Sequence, residues 1–206
     1  MTRLAIALSV VLMITSPVVA QNLLVNPGFD NPDLLNGWTC STTYGQANWI
    51  TNDRLGAPTS GAMEHFISAP TINEAVFCIQ CIPVDEFYTY VASVWHYWPD
   101  DPDVTQVGTV RMGILVYPEA GCTGTLLNST VNAGYHPALD TWYRFSTDEI
   151  VAPAGSVSAR FAVSTHQDPA DQWVRTRLDD LDFSATTLFR DGFESGGTGA
   201  WSSTSP

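Results

Sequence analysis

A period-two pattern of apolar side chains runs over 109–116 and again over 157–164. The apolar positions are Val110, Met112, Ile114 and Val116 in the first segment and Val157, Ala159, Phe161 and Val163 in the second. Successive side chains of a strand point to opposite faces, so each set predicts one buried sheet face. Beyond residue 20, no segment keeps the three- and four-residue apolar spacing of an amphipathic helix.

Runs of β-branched and aromatic residues predict further strands, separated by clusters of Gly, Pro, Asn and Asp. These runs are 23–25, 47–51, 62–67, 75–82, 88–98, 142–146 and 177–183. Parallel strands need long crossover connections, which are usually helical, and no helix is predicted to supply them. The sequence therefore predicts an all-β fold, a β-sandwich of the jelly-roll type.

Charge restricts the class of partner. The chain has 8 basic residues, all Arg, against 21 Asp and Glu, and its formal net charge is −13. Nucleic acids and anionic membrane surfaces both attract clusters of positive charge, which this acidic chain lacks, so both are disfavoured as partners. Neutral ligands and cations remain as candidate partners.

The first twenty residues have the pattern of a signal peptide. Arg3 is followed by an apolar stretch from Leu4 to Ile14, then by Pro17 and the small-residue cleavage site Val-Val-Ala at 18–20. The alternative, a retained membrane anchor, is disfavoured because the uninterrupted apolar run is shorter than the ~20 residues of a bilayer span. We expect a mature chain that begins at Gln21, has no membrane span, and is secreted or held at the cell surface.

Four cysteines in an exported chain predict two disulfides, with three possible connectivities. They are Cys40, Cys78, Cys81 and Cys122. In an extended strand Cys78 and Cys81 point to opposite faces, which argues against a bond between them. The Cys-Ile-Gln-Cys spacing could also form half of a zinc site, but no second close pair completes it.

Several short motifs follow one another in an order found in a known family. They are Leu-Val-Asn-Pro-Gly-Phe-Asp at 24–30, Gly37-Trp38, Cys-Ile-Pro-Val at 81–84, Gly-Cys-Thr-Gly at 121–124, Trp142, Ala-Pro-Ala-Gly at 152–155 and Leu-Asp-Asp-Leu at 178–181. Over residues 22–186 the chain resembles the CenC-like carbohydrate-binding modules, which belong to the galactose-binding-like jelly-roll class. Chains with these motifs are typically bacterial, and the resemblance implies a β-sandwich with Trp38 and Trp142 in its core.

The resemblance also implies a disulfide pairing and a metal site. Family members pair cysteines that correspond to Cys81 and Cys122, which leaves Cys40 with Cys78. They commonly hold a structural Ca²⁺ between the terminal strands, where Asp30 and Asp180 match the acidic positions. The alternative is that these aspartates only form turns or carry solvated charge.

Candidate sugar ligands come from the aromatic residues, because sugar rings stack on Trp and Tyr while hydroxyl groups pair with polar side chains. In the run 94–99, alternation puts Trp95 and Tyr97 on one face and His96 and Trp98 on the other. Trp98 and Trp173 adjoin polar segments and are expected to be exposed. The candidate ligand-binding residues are Trp98, Tyr97, Trp173, Arg111 and Gln106.

The sequence contains no Gly-x-Ser-x-Gly, His-Glu-x-x-His or phosphate-loop motif, and no catalytic residue is predicted. We therefore expect a monomeric, non-catalytic protein that binds a polysaccharide or glycan. The alternative is an extracellular adhesion or protein-interaction module without a sugar site, and an unassigned hydrolase is a third possibility. The tail 187–206 contains Asp-Gly-Phe-Glu at 191–194 and is either a disordered end or a linear tag.

Overall fold

The structure is a computed structural model that describes residues 21–33, 36–41, 43–68, 75–102, 108–135, 138–167 and 173–186. The predicted signal peptide, the candidate ligand Gln106 and the tail 187–206 lie outside these residues. None of the described residues forms a helix that is long and apolar enough to cross a membrane.

The described residues form eleven strands and no helix. The strands are β1 (Thr39–Ser41), β2 (Gly45–Ile50), β3 (Ala62–Ile67), β4 (Ala75–Pro83), β5 (Thr89–Tyr97), β6 (Gly108–Tyr117), β7 (Asn128–Gly134), β8 (Trp142–Ser146), β9 (Ile150–Val151), β10 (Ser158–Gln167) and β11 (Val174–Ala185). Sheet A has the order β1-β4-β10-β6-β7, and sheet B has the order β2-β3-β11-β5-β8 with β9 beside β5. All pairings are antiparallel, and the prediction of an all-β sandwich of the jelly-roll type is confirmed.

The two alternating segments of the sequence are β6 and β10, which pair along their whole length at the centre of sheet A. Their apolar positions from Val110 to Val116 and from Ala159 to Val163 are buried, whereas Val157 precedes β10 and is exposed. Strands β1, β7 and β9 were not predicted, because they are short or lie at a sheet edge where one apolar face is not required. The predicted strand 23–25 is instead an irregular segment beside β11, where Leu23 N donates to Phe183 O.

The core fills the space between the inner faces of the two sheets. Trp38 contacts Phe29 and Phe161, with both ring-centroid distances at 5.9 Å, and is buried as predicted. Trp98 is also fully buried, and its Nε1 donates to His96 Nδ1 at 3.1 Å. The expectation that Trp98 is exposed was wrong: the side chain lies on the same inner side as His96, so its ring offers no face to a ligand.

Both predicted disulfides are present. Cys40 bonds to Cys78, the residue directly opposite it in the pairing of β1 with β4, and Cys81 bonds to Cys122 in the turn after β6. Cys78 is buried and Cys81 is exposed, as alternation along β4 requires. The two bonds therefore leave β4 from opposite faces and connect it to β1 and to the turn after β6.

Candidate functional site

Three neighbouring strands of sheet A bring Phe77, Ser164 and Arg111 into one row on the outer face. Ser164 of β10 is opposite Phe77 of β4 on one side and opposite Arg111 of β6 on the other. Adjacent strands lie about 4.8 Å apart, so the backbones of Phe77 and Arg111 are roughly 10 Å apart. Phe77 is 42% exposed, and Arg111 is also exposed.

The adjacent row has small residues at its centre and forms a depression. Gly113 pairs with Ala162 on one side and with Val131 on the other. The open cavity has a volume of about 250 Å³ and is lined by Arg111, Met112, Gly113, Leu115, Val131, Ala162, Ser164 and His166. We call this cavity the Arg111 groove. A Cβ atom on Gly113 would lie 3.1 Å from Val131 Cγ2, so a larger residue there would crowd the floor.

Arg111 differs from the other described arginines in having no partner for its side chain among the described residues. Arg54, Arg175 and Arg177 contact carboxylates, Arg144 donates to Ser93 Oγ, and Arg160 donates to the carbonyl of Cys122. Within the groove, Ser164 Oγ and His166 Nε2 share a hydrogen bond of 2.9 Å. The guanidinium of Arg111 thus keeps its donors available at the rim of a cavity.

The outer face of sheet B is richer in aromatic residues, but these are already paired. Arg177 lies between Glu64 and Tyr97, and Trp142 follows Tyr97 in the same row. The Arg177 guanidinium is 5.2 Å from the centroid of the Tyr97 ring, and the Trp142 ring is 5.2 Å away on the other side. The Tyr97 hydroxyl donates to Asp140 Oδ1 at 2.7 Å, and burial together with this carboxylate raises the pKa of Tyr97.

The same pairing recurs across this surface, which we call the arginine–aromatic face. Arg54 lies 4.4 Å from the centroid of the Trp95 ring, and Arg175 lies 5.0 Å from that of Phe66. Arg54 also contacts Asp180, while Arg175 contacts Asp101. The ring surfaces that a sugar would use are therefore flanked by guanidinium groups that are themselves neutralised.

The predicted ligand residues do not form one site. Tyr97 and Trp173 lie on the side of sheet B, where Trp173 is 49% exposed and meets Phe66 edge-on at 6.0 Å. Arg111 lies on the opposite sheet, and Trp98 lies in the core between them. Trp142, expected in the core, is half-buried on the outer face of sheet B.

Sequence reasoning missed Phe77, Ser164 and His166. Ser164 belongs to the polar set of the alternating segment 157–164, and Phe77 occupies an outward position of the predicted strand 75–82. The sequence therefore indicated which face of its strand each of these two residues occupies. Their proximity to Arg111 was not, because it depends on the order of strands that are distant along the chain.

The two predicted calcium ligands converge on Gly28. A Cβ atom at Gly28 would lie 3.5 Å from Asp180 Oδ1 and 3.9 Å from Asp30 Oδ2. Asp180 stands at an irregularity of β11 and has a positive φ of 43°. Both carboxylates are therefore within 4 Å of one point, although one precedes β1 and the other lies in the last strand.

The chemistry around this point suits a hard cation such as Ca²⁺, which prefers oxygen ligands. Neighbouring Asp179 is fully buried and accepts the backbone N–H groups of Arg54 and Asp180, and burial raises its pKa to about 7. Arg54 is the cation seen here, with its Nε donating to Asp180 Oδ2 at 2.6 Å. Among the described residues no group of three or more His, Cys, Asp or Glu is arranged to hold a metal. An ion would need backbone carbonyls and water as its other ligands.

No protein-family model matches the chain, and no curated protein matches it. A solved structure matches over nearly its full length: the module TmCBM61 in complex with β-1,4-galactotriose, with a TM-score of 0.53, 15% identity, and coverage of 81% of this chain and 99% of that one. The chain has the fold of a carbohydrate-binding module. At this identity the likeness establishes the fold alone, and the narrower resemblance to CenC-like modules stays a prediction.

Two larger enzymes contain a similar part. The CBM22-1–GH10 modules of xylanase 10B from Clostridium thermocellum, complexed with xylohexaose, match with a TM-score of 0.52 and 14% identity over 83% of this chain and 30% of that one. The arabinose-bound α-L-arabinofuranosidase MgGH51 matches with a TM-score of 0.58 and 18% identity over 81% and 27%. This chain therefore matches less than a third of either solved chain.

Proposed function

We propose that the chain is a secreted, non-catalytic carbohydrate-binding module whose sugar site is the Arg111 groove. The observation that carries the proposal is the row of Phe77, Ser164 and Arg111 beside a floor of Gly113 and Ala162. It places a hydroxyl group and a planar cation, which has no side-chain partner among the described residues, at an open cavity. An exposed ring lies one strand away from that hydroxyl group.

Each of these groups has a role in the proposed complex. The Phe77 ring stacks on the CH-rich face of one sugar, burying apolar surface on both sides. The five donors of the Arg111 guanidinium and the Ser164 hydroxyl pair with the oxygens of a neighbouring sugar. The small floor residues let a sugar ring approach the sheet without a steric clash.

The test is a glycan array probed with the purified chain, its variants Arg111→Gln and Phe77→Ala, and the control Arg144→Gln. Arg144 is an exposed arginine on the opposite sheet, so its loss should leave binding unchanged. We expect specific glycan binding that Arg111→Gln and Phe77→Ala each weaken by about tenfold or more, the effect of a lost charged hydrogen bond or stacking contact. Binding that survives both of these substitutions would move the site elsewhere, and the absence of binding to any glycan would refute the function.

A second candidate function is an extracellular adhesion or protein-interaction module. The half-exposed Trp173 next to the arginine–aromatic face favours it, because Trp and Arg are enriched where proteins bind one another. A chain that is silent on the array but captures a protein partner through Trp173 would support this alternative. Loss of that capture in Trp173→Ala would locate the contact.

The proposal includes a structural calcium ion held by Asp30 and Asp180, with carbonyls and water as further ligands. The ion would supply positive charge between the segment before β1 and the last strand. It would bind only the folded state and stabilise it by about 2.7 kcal/mol at 100 times its Kd. Arg54, which contacts Asp180, would then share that carboxylate with the ion.

Chelation tests the ion. We expect EDTA to lower the Tm of the chain and Ca²⁺ to restore it, and Asp180→Asn to abolish this response. Asparagine, like aspartate, can adopt the positive φ found at residue 180, so the variant should fold. The matched control Asp182→Asn, on the same strand, should respond like the wild type. Equal Tm values for the wild type with EDTA and with Ca²⁺ would exclude the site.

A further inference from the structure

The acidic residues of this chain are distributed very unevenly between the two sheets. The chain has 21 Asp and Glu, yet the five strands of sheet A contain none. Sheet B, in contrast, carries Glu64 on β3 and three aspartates on β11. In a chain with a net charge of −13, the strands of sheet A carry only positive charge.

That positive charge faces outward, and one of its two arginines lines the groove. Arg111 and Arg160 lie at outward positions of β6 and β10, the central pair of the sheet. Arg160 donates to the Cys122 carbonyl and lies over the Tyr117 ring at 5.2 Å, so it is already engaged. Arg111 is left as the arginine of these strands whose side chain has no partner among the described residues.

We infer that the Arg111 groove is selective for sugars that carry a carboxylate, so that the ligand is an acidic polysaccharide. This inference rests on the proposed function. A carboxylate matches the planar fork of a guanidinium and accepts two parallel hydrogen bonds from it, about twice as strong as neutral ones. A neutral sugar would use the donors of Arg111 but leave its charge uncompensated.

The geometry lets one polysaccharide use the whole row. A sugar in the groove would place its carboxylate against Arg111 and a ring oxygen or hydroxyl group within reach of Ser164. Phe77, roughly 10 Å from Arg111, is too far to contact the same sugar fully and would stack on the next sugar of the polymer. The ligand is therefore a chain of at least two sugars rather than a free monosaccharide.

The net charge of the protein does not oppose this selectivity strongly. Charges separated by more than about 8 Å are largely screened at physiological ionic strength. None of the described residues that line the groove is acidic, so among them no carboxylate would face the ligand. The contact with Arg111 decides which sugars are accepted.

The experiment compares acidic polysaccharides with their own neutral forms at physiological salt. The probes are polygalacturonate, glucuronoxylan and alginate, each beside a carboxyl-reduced preparation of the same polymer. Affinity is measured with the purified chain by affinity electrophoresis and calorimetry. We expect at least one polymer to bind about tenfold or more tightly in its acidic form, as a charge-assisted pair requires.

Variants assign the preference to the groove. Arg111→Gln should bind both forms of that polymer equally, and Arg111→Lys should keep part of the preference because it keeps charge without the fork. The control Arg144→Gln should keep it in full. Because the Arg111 side chain makes no hydrogen bond or ion pair with the described residues, its variants should match the wild type in Tm.

The outcomes separate this inference from the proposed function. Equal binding of acidic and neutral forms, or binding of neutral glycans alone, would overturn the preference and leave the sugar-binding function standing. A preference that survives Arg111→Gln would also overturn it. A chain that bound no polysaccharide and no glycan on the array would refute the function and the preference together.

Discussion

The outer faces of the two sheets use arginine and aromatic residues in opposite ways. On sheet B, Tyr97 is flanked by Arg177 and Trp142, and Arg177 faces Glu64. On sheet A, neither the Phe77 ring nor the Arg111 guanidinium has a ring or ion-pair partner among the described residues. The arginines and rings of the first surface are partnered with neighbouring side chains, whereas Phe77 and Arg111 on the second surface are available to a ligand.

This difference explains why a count of aromatic residues is a poor guide to a binding site. In the richest aromatic run of the chain, 94–99, Trp98 lies in the core, whereas Trp95 and Tyr97 lie on the arginine–aromatic face. A ring that contacts an ion-paired guanidinium group stabilises the sheet, and a ligand could stack on it only by breaking those contacts. A less conspicuous row with one exposed ring and one cation without a partner is better suited to a ligand.

The largest expected effect comes from Trp98, which lies beneath both faces. Trp98→Ala should lower the free energy of unfolding by about 3–5 kcal/mol, because it removes a fully buried side chain and leaves a cavity. Trp173→Ala, at a half-exposed position, should change it by less than about 0.5 kcal/mol. Guanidinium unfolding of both variants measures this contrast. Equal losses would mean that Trp98 is not a core residue.

The next effect concerns buried groups of sheet B and depends on pH. Burial raises the pKa of Asp179 to about 7, so its contribution to stability is complete below the unfolded pKa of about 3.9 and is lost as pH rises towards 7. Burial lowers the pKa of His65 to about 3, so its contribution is complete above about 6.5 and is lost as pH falls towards 3. Between pH 4 and 6.5 the two contributions oppose each other.

Asp179→Asn removes the contribution of Asp179 to the pH dependence of stability, so the opposing contribution of His65 should become visible. The free energy of unfolding of this variant should rise from pH 4 to pH 6.5 by more than that of the wild type, by an amount on the order of a few kcal/mol. The measurement is denaturant unfolding at several pH values in EDTA. Parallel curves for the two proteins would show that folding does not raise the pKa of Asp179.

A smaller effect separates the two faces directly. Arg177→Ala should lower the free energy of unfolding by about 1 kcal/mol, since it removes the contacts with Glu64 and Tyr97, and should leave glycan binding intact. Arg111→Ala should leave the free energy of unfolding unchanged within about 0.5 kcal/mol and weaken binding. Unfolding curves and binding isotherms of both variants test the separation. Matching effects of the two variants on both quantities would remove the distinction between the faces.

The sequence predicted the fold better than the site, and particular residues show why. Alternation over 109–116 and 157–164 located β6 and β10 because one face of each is core, and the family resemblance predicted both disulfides. The alternation over 94–99 put Trp98 on the same face as His96 but did not tell which face is the core, and the adjacent polar loop suggested that Trp98 is exposed. The neighbourhood of Phe77, Ser164 and Arg111 arises from strand order and register, which local patterns do not contain.

The most direct test of the central claim maps the bound glycan by NMR. The backbone and side-chain shifts of the isotope-labelled chain would be followed during titration with a glycan that the array identifies. We predict that the largest shifts cluster on sheet A at Phe77, Arg111, Gly113, Ser164 and His166, with little change at Trp95, Tyr97 and Trp142. The opposite pattern, with the largest shifts on sheet B and a silent Arg111 groove, would contradict the account.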